Sequence, residues 1–277
     1  MRMNPLYKRI ESSLKGRREN ELFRMTASPG QRALIDLSTN SYLNLHENST
    51  VSKEASLLCS NRYSGNIASR LITTRSVLYE ELEKEIADWK QTESALVFNS
   101  GYAANVGILQ ALCTRDTEVF CDRLNHASLI DGILLSRAKL NRYHHCNMDD
   151  LTRRLKESDS AEKLIVTDTV FSMDGDRAPL EQICELARKY SAIVMVDEAH
   201  ATGVFGKTLS GLVEETGVHE GVDIRMGTLS KAVAGLGGFF AGTRVLRDYF
   251  VNHARSLIYS TALPHSILAH NLAAIRY

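Results

Sequence analysis

Short apolar runs alternate along this chain with longer segments in which apolar residues recur every three to four positions. Ala95-Leu96-Val97-Phe98, Glu118-Val119-Phe120-Cys121, Leu164-Ile165-Val166 and Ala192-Ile193-Val194-Met195-Val196 are bounded by polar loops. Short runs that are apolar on nearly every position predict strands buried on both faces. Between and around them, residues 101–112, 127–139, a charged segment opening on Leu151 and Leu155, and residues 179–190 carry helical spacing. Leu78, Leu82, Ile86 and Trp89 fall on one helical face, with Ser76 as the expected N-cap. Short strands alternating with helices predict βαβ units, hence an α/β fold with a mostly parallel sheet and helices on both faces. The first 25 residues have a basic, mildly amphipathic helical pattern marked by Leu6, Ile10 and Leu14. After a break at Pro29-Gly30, Ala33 to Leu37 reads as a short strand and Ser38 to Asn48 as a loop. No internal repeat is visible and no linker splits the chain.

Composition narrows the function classes. Thirty-three Lys and Arg balance 33 Asp and Glu over 277 residues, giving zero formal net charge. That balance supplies no basic excess for phosphate backbones and argues against nucleic-acid binding. No apolar run approaches the roughly 20 residues of a membrane span. The polar N-terminal stretch lacks the apolar core of a signal peptide. The five cysteines are scattered without a close pair, which argues against a disulfide framework or a zinc site. Reduced thiols packed in a cytoplasmic protein are expected.

In parallel sheets, ligands bind beyond the carboxyl ends of the strands, so the residues after each apolar run hold the candidate chemistry. Asn99-Ser100-Gly101-Tyr102 opens a helix; Ser100 is read either as a simple cap or, with Gly101, as part of an anion site. Asp122 to Ser128 contains His126 at another helix start, and Thr167 to Asp176 is a long polar loop. Asp197-Glu198-Ala199-His200 directly follows five apolar residues. Its Asp197 is either a turn cap or a buried counter-charge for a cationic ligand atom, and it must be paired or hydrogen-bonded. Gly227-Thr228-Leu229-Ser230-Lys231 places a lysine between an apolar run and a glycine-rich stretch containing Gly235, Gly237 and Gly238. A desolvated lysine has a depressed pKa and forms Schiff bases. A lysine for an imine, a buried Asp 34 residues earlier for a pyridine nitrogen, and a helix start with hydroxyls for phosphate resemble, as a set, a pyridoxal phosphate (PLP) site.

From about Asp36 to the last residue the chain resembles the α-oxoamine synthases, within the fold type I (aspartate aminotransferase-like) PLP enzymes. The strings that carry the resemblance are Ser100 to Asn105, Asn125 to Ser128, Phe171 to Asp176, Asp197 to His200, Gly227 to Lys231 and Ile258 to Pro264. The resemblance implies an N-terminal arm over residues 1–45 and a PLP-binding large domain over residues 46–277. It implies that Lys231 forms the imine and moves the substrate α-proton, that Asp197 pairs with the pyridinium nitrogen, and that His126 stacks on the ring. It places His200 and Ser172 near the cofactor's phenolic oxygen, and the N–H groups of Gly101 and Tyr102 with the Thr228 hydroxyl on its phosphate. Ser260 and Thr261 would reach the phosphate of a neighbouring subunit, making the protein a homodimer with its active site at the interface. Asn40 matches a family position near the substrate, and Arg24 falls near the family's arginine for the acyl group.

The implied reaction joins an amino acid to an acyl thioester, carried by CoA or a carrier protein, with loss of carboxylate, to give an α-amino ketone. Members of the family use alanine with a pimeloyl thioester (biotin synthesis), glycine with acetyl- or succinyl-CoA, or serine with a long acyl thioester. Ser69-Arg70-Leu71-Ile72 is most similar to the alanine-using member. The chain departs from the family pattern over Ser64 to Thr74, which lacks the usual Gly-rich run and the Ser-Gly after the Arg. It departs again at Arg75 and Ser76, at Tyr79 where a His is usual, and at His265 where a second Pro is common. The family also continues into a small C-terminal domain with a carboxylate-binding Arg that has no counterpart here. On that comparison the chain is expected to be a fragment or a natural truncation, with poor activity alone. The rival readings are an aminotransferase of the same fold and a non-catalytic chain that folds and dimerises.

Overall fold

The computed structural model describes residues 4–26, 37–60, 66–72 and 76–277. The chain divides into a first unit ending at Thr39 and a second spanning Asn40–Tyr277. In the first unit, helix α1 (Pro5–Glu19) is capped by the Asn4 side chain, which accepts the Leu6 N–H at 2.9 Å. Its Leu6, Ile10 and Leu14 all remain exposed. Arg24 follows α1 in this unit. The strand expected over Ala33 to Leu37 falls, except for Leu37, outside the described residues.

The second unit runs α2 (Ser49–Cys59), α3 (Val77–Lys90), β1 (Ser94–Phe98), α4 (Gly101–Leu112), β2 (Thr117–Asp122), α5 (Ala127–Ser136), β3 (Lys139–Tyr143), α6 (Met148–Glu157), β4 (Glu162–Asp168), α7 (Leu180–Tyr190), β5 (Ala192–Asp197), α8 (Leu212–Thr216), β6 (Ile224–Thr228), β7 (Gly238–Gly242), α9 (Arg244–His253), α10 (Arg255–Ile258) and α11 (His265–Arg276). Among the described residues the strands form one seven-stranded sheet in the order β1-β7-β6-β5-β4-β2-β3. Strands β3, β2, β4, β5 and β6 are parallel, and β7 is antiparallel to both of its neighbours. The expected α/β architecture is therefore the observed one, with an antiparallel strand inserted near one edge.

The apolar runs are continuous because alternate residues feed opposite faces. On one face, Val119, Cys121, Leu164, Val166 and Met195 pack with Ile108 and Leu109 of α4 and Leu129 and Ile133 of α5. On the other, Phe120, Ile165, Val194 and Val196 pack with Leu151 and Leu155 of α6 and Ile183 and Ala187 of α7. Near β1 and β7, Val97 and Phe239 meet Leu82 and Ile86 of α3 and Leu268 and Leu272 of α11. Each fully buried Leu or Ile of this kind stabilises the fold by ~1.5–3 kcal/mol.

Two local expectations are corrected, the end of one helix and the Ser76 cap, and two strands and two packing residues are new. The helix expected over residues 127–139 ends at Ser136, where Arg137 turns left-handed at φ 66°, and Lys139 already belongs to β3. Strands β3 and β7 carry no apolar run of the expected kind, one being a polar edge and the other flanked by glycines. Ser76 stands at the α3 N-cap position, but its hydroxyl makes no cap hydrogen bond. Arg70 and Tyr79, both in the region of departure from the family pattern, are packing residues. Arg70 donates to Glu83 at 2.5 Å and lies 4.1 Å over the Tyr79 ring, while the Tyr79 hydroxyl accepts the Leu263 N–H. No helix among the described residues is long and apolar enough to cross a membrane.

One buried ion pair braces the strand end that bears the candidate chemistry. Lys90, at the end of α3, reaches Glu198 at 2.9 Å and Thr202 at 2.9 Å, and both ionic side chains are 1% exposed. Removing one partner leaves the other's charge uncompensated. Lys90→Met is expected to destabilise the fold by about 3–5 kcal/mol, read as a lower urea midpoint. A wild-type midpoint in that variant would contradict the role given to the pair.

Candidate active site

All five strand ends singled out in the sequence converge on one cavity of about 430 Å³, lined by residues that include Gly101, His126, Ser172, Asp197, His200 and Lys231. The floor is Asp197, the last residue of β5 and 3% exposed. Its two carboxylate oxygens accept the Asn105 amide at 2.7 Å and the Ala199 N–H at 2.8 Å. Both sequence readings of Asp197 thus have a structural basis: it closes the turn toward His200 and it also presents a buried carboxylate to the cavity. Asn105, in the second turn of α4, is itself fully buried, donates as well to Ser128 Oγ at 2.9 Å, and among the described residues its own Oδ1 has no partner.

Asp168 ends β4 in register with Asp197 on β5. Its carboxylate accepts the His126 N–H at 2.7 Å, and its N–H donates to the Asn125 side chain at 3.0 Å. Asn125 also donates to the Val166 carbonyl at 2.8 Å. The Asn125-His126 turn is therefore stitched to the neighbouring strand end, which fixes where His126 stands. Burial, and then the Asp197 charge beside it, push the Asp168 carboxyl well above the usual range. The His126 ring caps α5 by accepting the Ser128 N–H.

Lys231 Nζ lies 2.7 Å from His200 Nε2. Burial lowers the Lys231 pKa, with Asp197 and Asp168 opposing that shift. Burial, followed by the charges of Lys231 and His126, lowers His200 to about 4. A neutral His200 accepts from Lys231 at Nε2, and its Nδ1 lies 2.7 Å from the Tyr42 hydroxyl. Tyr42 in turn donates to Asn40 at 3.3 Å.

At the other end of the cavity, α4 begins at Gly101 with Ser100 as cap, its Oγ accepting the Ala103 N–H at 3.0 Å. The first-turn N–H groups of Gly101 and Tyr102 have no acceptor within the helix. Thr228 Oγ1 lies 2.8 Å from Ser230 Oγ. Glycine at 238 lets β7 abut this helix start: an added Cβ would fall 2.6 Å from Gly101 Cα. Free N–H groups at a helix start beside a pair of hydroxyls have the chemistry that suits a small dianion.

Of the remaining candidates, Ser172 lines the cavity from the loop after β4. Asn40 reaches the cavity through Tyr42. Ser260 and Thr261 are not among the lining residues; the Asn99 amide donates to Ser260 Oγ at 2.7 Å and to the Thr261 carbonyl at 2.5 Å. Arg24 belongs to the first unit. Tyr42, Asn105, Ser128 and Asp168 were given no role from sequence. Asp168 carried a usable signal, since it too is an Asp closing an apolar run. Asn105 carried none beyond its place inside the Ser100–Asn105 string.

The depressed His200 pKa has a signed consequence. The unfolded chain binds a proton on this residue near pH 6.5, above the folded value, so stability is lost as pH falls below about 6.5 and the loss levels off below about 4. An NMR titration of the His200 imidazole is expected to show a midpoint near 4. A midpoint at or above the ordinary histidine value would contradict the neutral His200–Lys231 contact.

Comparison with known proteins places this geometry. An 8-amino-7-oxononanoate synthase of Citrifermentans bemidjiense is 50% identical over 247 residues, covering 89% of this chain and 63% of that protein. The chain thus spans somewhat less than two thirds of the length of the curated relatives it matches. A solved serine palmitoyltransferase of S. paucimobilis, carrying a PLP–myriocin adduct, superposes with a TM-score of 0.90 at 28% identity, over 99% of this chain and 73% of that one. A solved 8-amino-7-oxononanoate synthase of Francisella tularensis gives a TM-score of 0.74 at 30% identity, over 87% and 68%. The family model described as aminotransferase class I and II matches residues 32–275. The α/β fold expected from the strings of residues is the one found, and the chain belongs to the aminotransferase class I and II family.

Proposed function

We propose that this cavity holds pyridoxal phosphate and serves an α-oxoamine synthase of the 8-amino-7-oxononanoate type, joining L-alanine to a pimeloyl thioester. The observation that carries the cofactor reading is that Lys231 and the buried Asp197 line one cavity together with Gly101 and Tyr102 at the α4 N-terminus. The residues present fit the group. Asp197 offers a buried carboxylate to a pyridinium nitrogen, and Gly101, at the open start of α4, stands beside Thr228, where an added Cβ would be in ordinary contact at 3.4 Å. Lys231 would hold the aldehyde carbon, His126 would lie against the ring, Ser172 and His200 would meet the phenolic oxygen, and the N–H groups of Gly101 and Tyr102 with Thr228 would hold the phosphate. When bound, the cofactor supplies an electron sink for negative charge at the amino acid's α-carbon.

The chain's own groups then divide the work. Lys231 Nζ, with its lowered pKa, takes and returns the proton at the α-carbon of the amino acid. His200 accepts a hydrogen bond from Lys231 and so holds the amine in place between transfers. Asn105 and the Ala199 N–H keep Asp197 aimed while its charge is buried. In this reading residues 1–45 form an arm and 46–277 a large domain, Arg24 and Asn40 contact substrate, and the protein works in the cytoplasm as a homodimer. Ser260 and Thr261, off the cavity and next to exposed Tyr259, would reach the partner's phosphate. The choice of alanine and a pimeloyl group, carried by CoA or a carrier protein, is supported by the relatives' names and by no contact in the cavity.

Added PLP is expected to give a visible absorbance band that Lys231→Ala lacks, and borohydride to fix the cofactor mass on the Lys231 peptide. No band with the wild-type chain, or an unchanged band in Lys231→Ala, sinks the cofactor reading. In a panel of alanine, glycine and serine against pimeloyl, acetyl and palmitoyl thioesters, alanine with the pimeloyl thioester is expected to turn over fastest. Lys231→Ala should slow it by roughly 100-fold or more, the ordinary contribution of a positioned acid–base group. Keto-acid release without any thioester would favour an aminotransferase instead.

A further inference from the structure

We propose that His145, in its protonated form, is a positioning residue that ties together two walls of the cavity by bridging Asp122 and Asp176. The proposal relies on the cofactor reading above only for what the cavity holds; the clamp itself stands on the geometry of the chain. His145 Nδ1 lies 3.0 Å from Asp122 Oδ1, and its Nε2 lies 2.7 Å from Asp176 Oδ2. The edge of the Phe171 ring system packs against the imidazole at 90°, with centroids 4.4 Å apart.

The two carboxylates belong to different walls. Asp122 ends β2 and organises the turn into His126: its Oδ1 accepts the Leu124 N–H at 2.9 Å, and its Oδ2 accepts the Cys146 N–H at 2.8 Å. Asp176 closes the loop after β4, where the Phe171 N–H donates to the Asp176 carbonyl and the Gly175 N–H to the Phe171 carbonyl. Phe171, Ser172, Met173 and Asp174 of that loop line the cavity, as do Leu124 and His126 of the turn. Among the described residues His145 is the cation paired with Asp176, whose Oδ1 is buried without a partner. Ser172, Met173, Asp174 and Gly175 of the loop are exposed, while its base is held by the Val170–Arg177 bridge and the Ala178 N–H to the Thr169 carbonyl. An imidazolium with a carboxylate on each nitrogen is therefore an ionic cross-link between the two segments, and both of its N–H groups are committed to it.

The groups facing the imidazole decide its charge. They are Asp122 from β2, Asp176 from the loop, and Cys146 beside it. The Cys146 thiol is pushed up to about 12 by burial and the two carboxylates, so it brings no competing charge. Arg142 on β3 is spent on the Arg123 carbonyl, and the residue after Asp176, Arg177, presents only its carbonyl to this cluster. Burial works against the imidazolium, but the hydrogen bonds to Asp122 and Asp176 outweigh it and raise the His145 pKa. The clamp is thus fully present below the ordinary histidine value of about 6.5, and it weakens as pH rises through the raised one.

The test measures amide exchange at Phe171 and Gly175 and PLP affinity in parallel across pH, for wild type, His145→Asn and Asp176→Asn. In wild type, protection at both amides, corrected for intrinsic exchange, should fall roughly tenfold as His145 loses its proton, the equivalent of one charge-assisted hydrogen bond. PLP affinity should weaken over the same pH range. Both variants should show the low protection at every pH and a PLP affinity that no longer follows that titration. A His145→Asn chain whose protection and affinity keep the wild-type pH profile overturns the proposal, as does an imidazole that titrates below its ordinary value. A wild type that binds no PLP at any pH ends the cofactor reading, while the exchange profile still decides the clamp.

Discussion

A carboxylate buried at the carboxyl end of an apolar strand sets the terms for everything around it. Asp197 sits at the end of β5 with 3% exposure, so its charge is sustained only by hydrogen bonds and by a nearby cation. Asn105 and the Ala199 N–H supply the bonds, and the β-sheet register brings Asp168 alongside as a second carboxylate. Two carboxylates side by side in low dielectric do not both ionise readily, and Asp168 is the one driven up. The pair leaves the cavity floor with a surplus of acceptors, and a cationic ring atom is the chemistry that relieves it.

The rest of the cavity follows from that floor. Lys231 is close enough to be desolvated with the carboxylates, which lowers its pKa toward the range where an amine is a useful nucleophile and base. His200 is forced neutral by the same burial and by Lys231, so it serves as an acceptor for the amine rather than a rival cation. At the far end the α4 N-terminus offers positive potential, reached because Gly238 lets β7 pack against Gly101. Positive, negative and nucleophilic elements are thus separated within a single cavity of a chain whose formal net charge is zero.

The central strands were legible because they are buried on both faces, and burial on both faces writes an unbroken apolar run. Strand β3, Lys139–Tyr143, was hidden because it is an edge strand whose residues other than Tyr143 meet solvent. Strand β7, Gly238–Gly242, was hidden because its glycines serve close packing and read as a loop. In the site, Lys231, Asp197, His200, His126, Gly101, Thr228 and Ser172 lie around one cavity, as expected from their places after apolar runs. Asn105 and Tyr42 act through long-range contacts, 92 and 158 residues from their partners, and no local pattern encodes those. The His145 bridge is of the same kind, joining residues 23 and 31 positions away.

The most direct test of the account is a pair of measurements on Asp197→Asn: the unfolding midpoint of the protein without cofactor, and its affinity for PLP. If Asp197 is a buried charge kept for a cationic ligand atom, its removal relieves repulsion with Asp168 and costs binding. The variant should then unfold at the same or a higher midpoint than wild type while binding PLP more weakly. A variant that is less stable yet binds PLP as tightly as wild type would contradict the account.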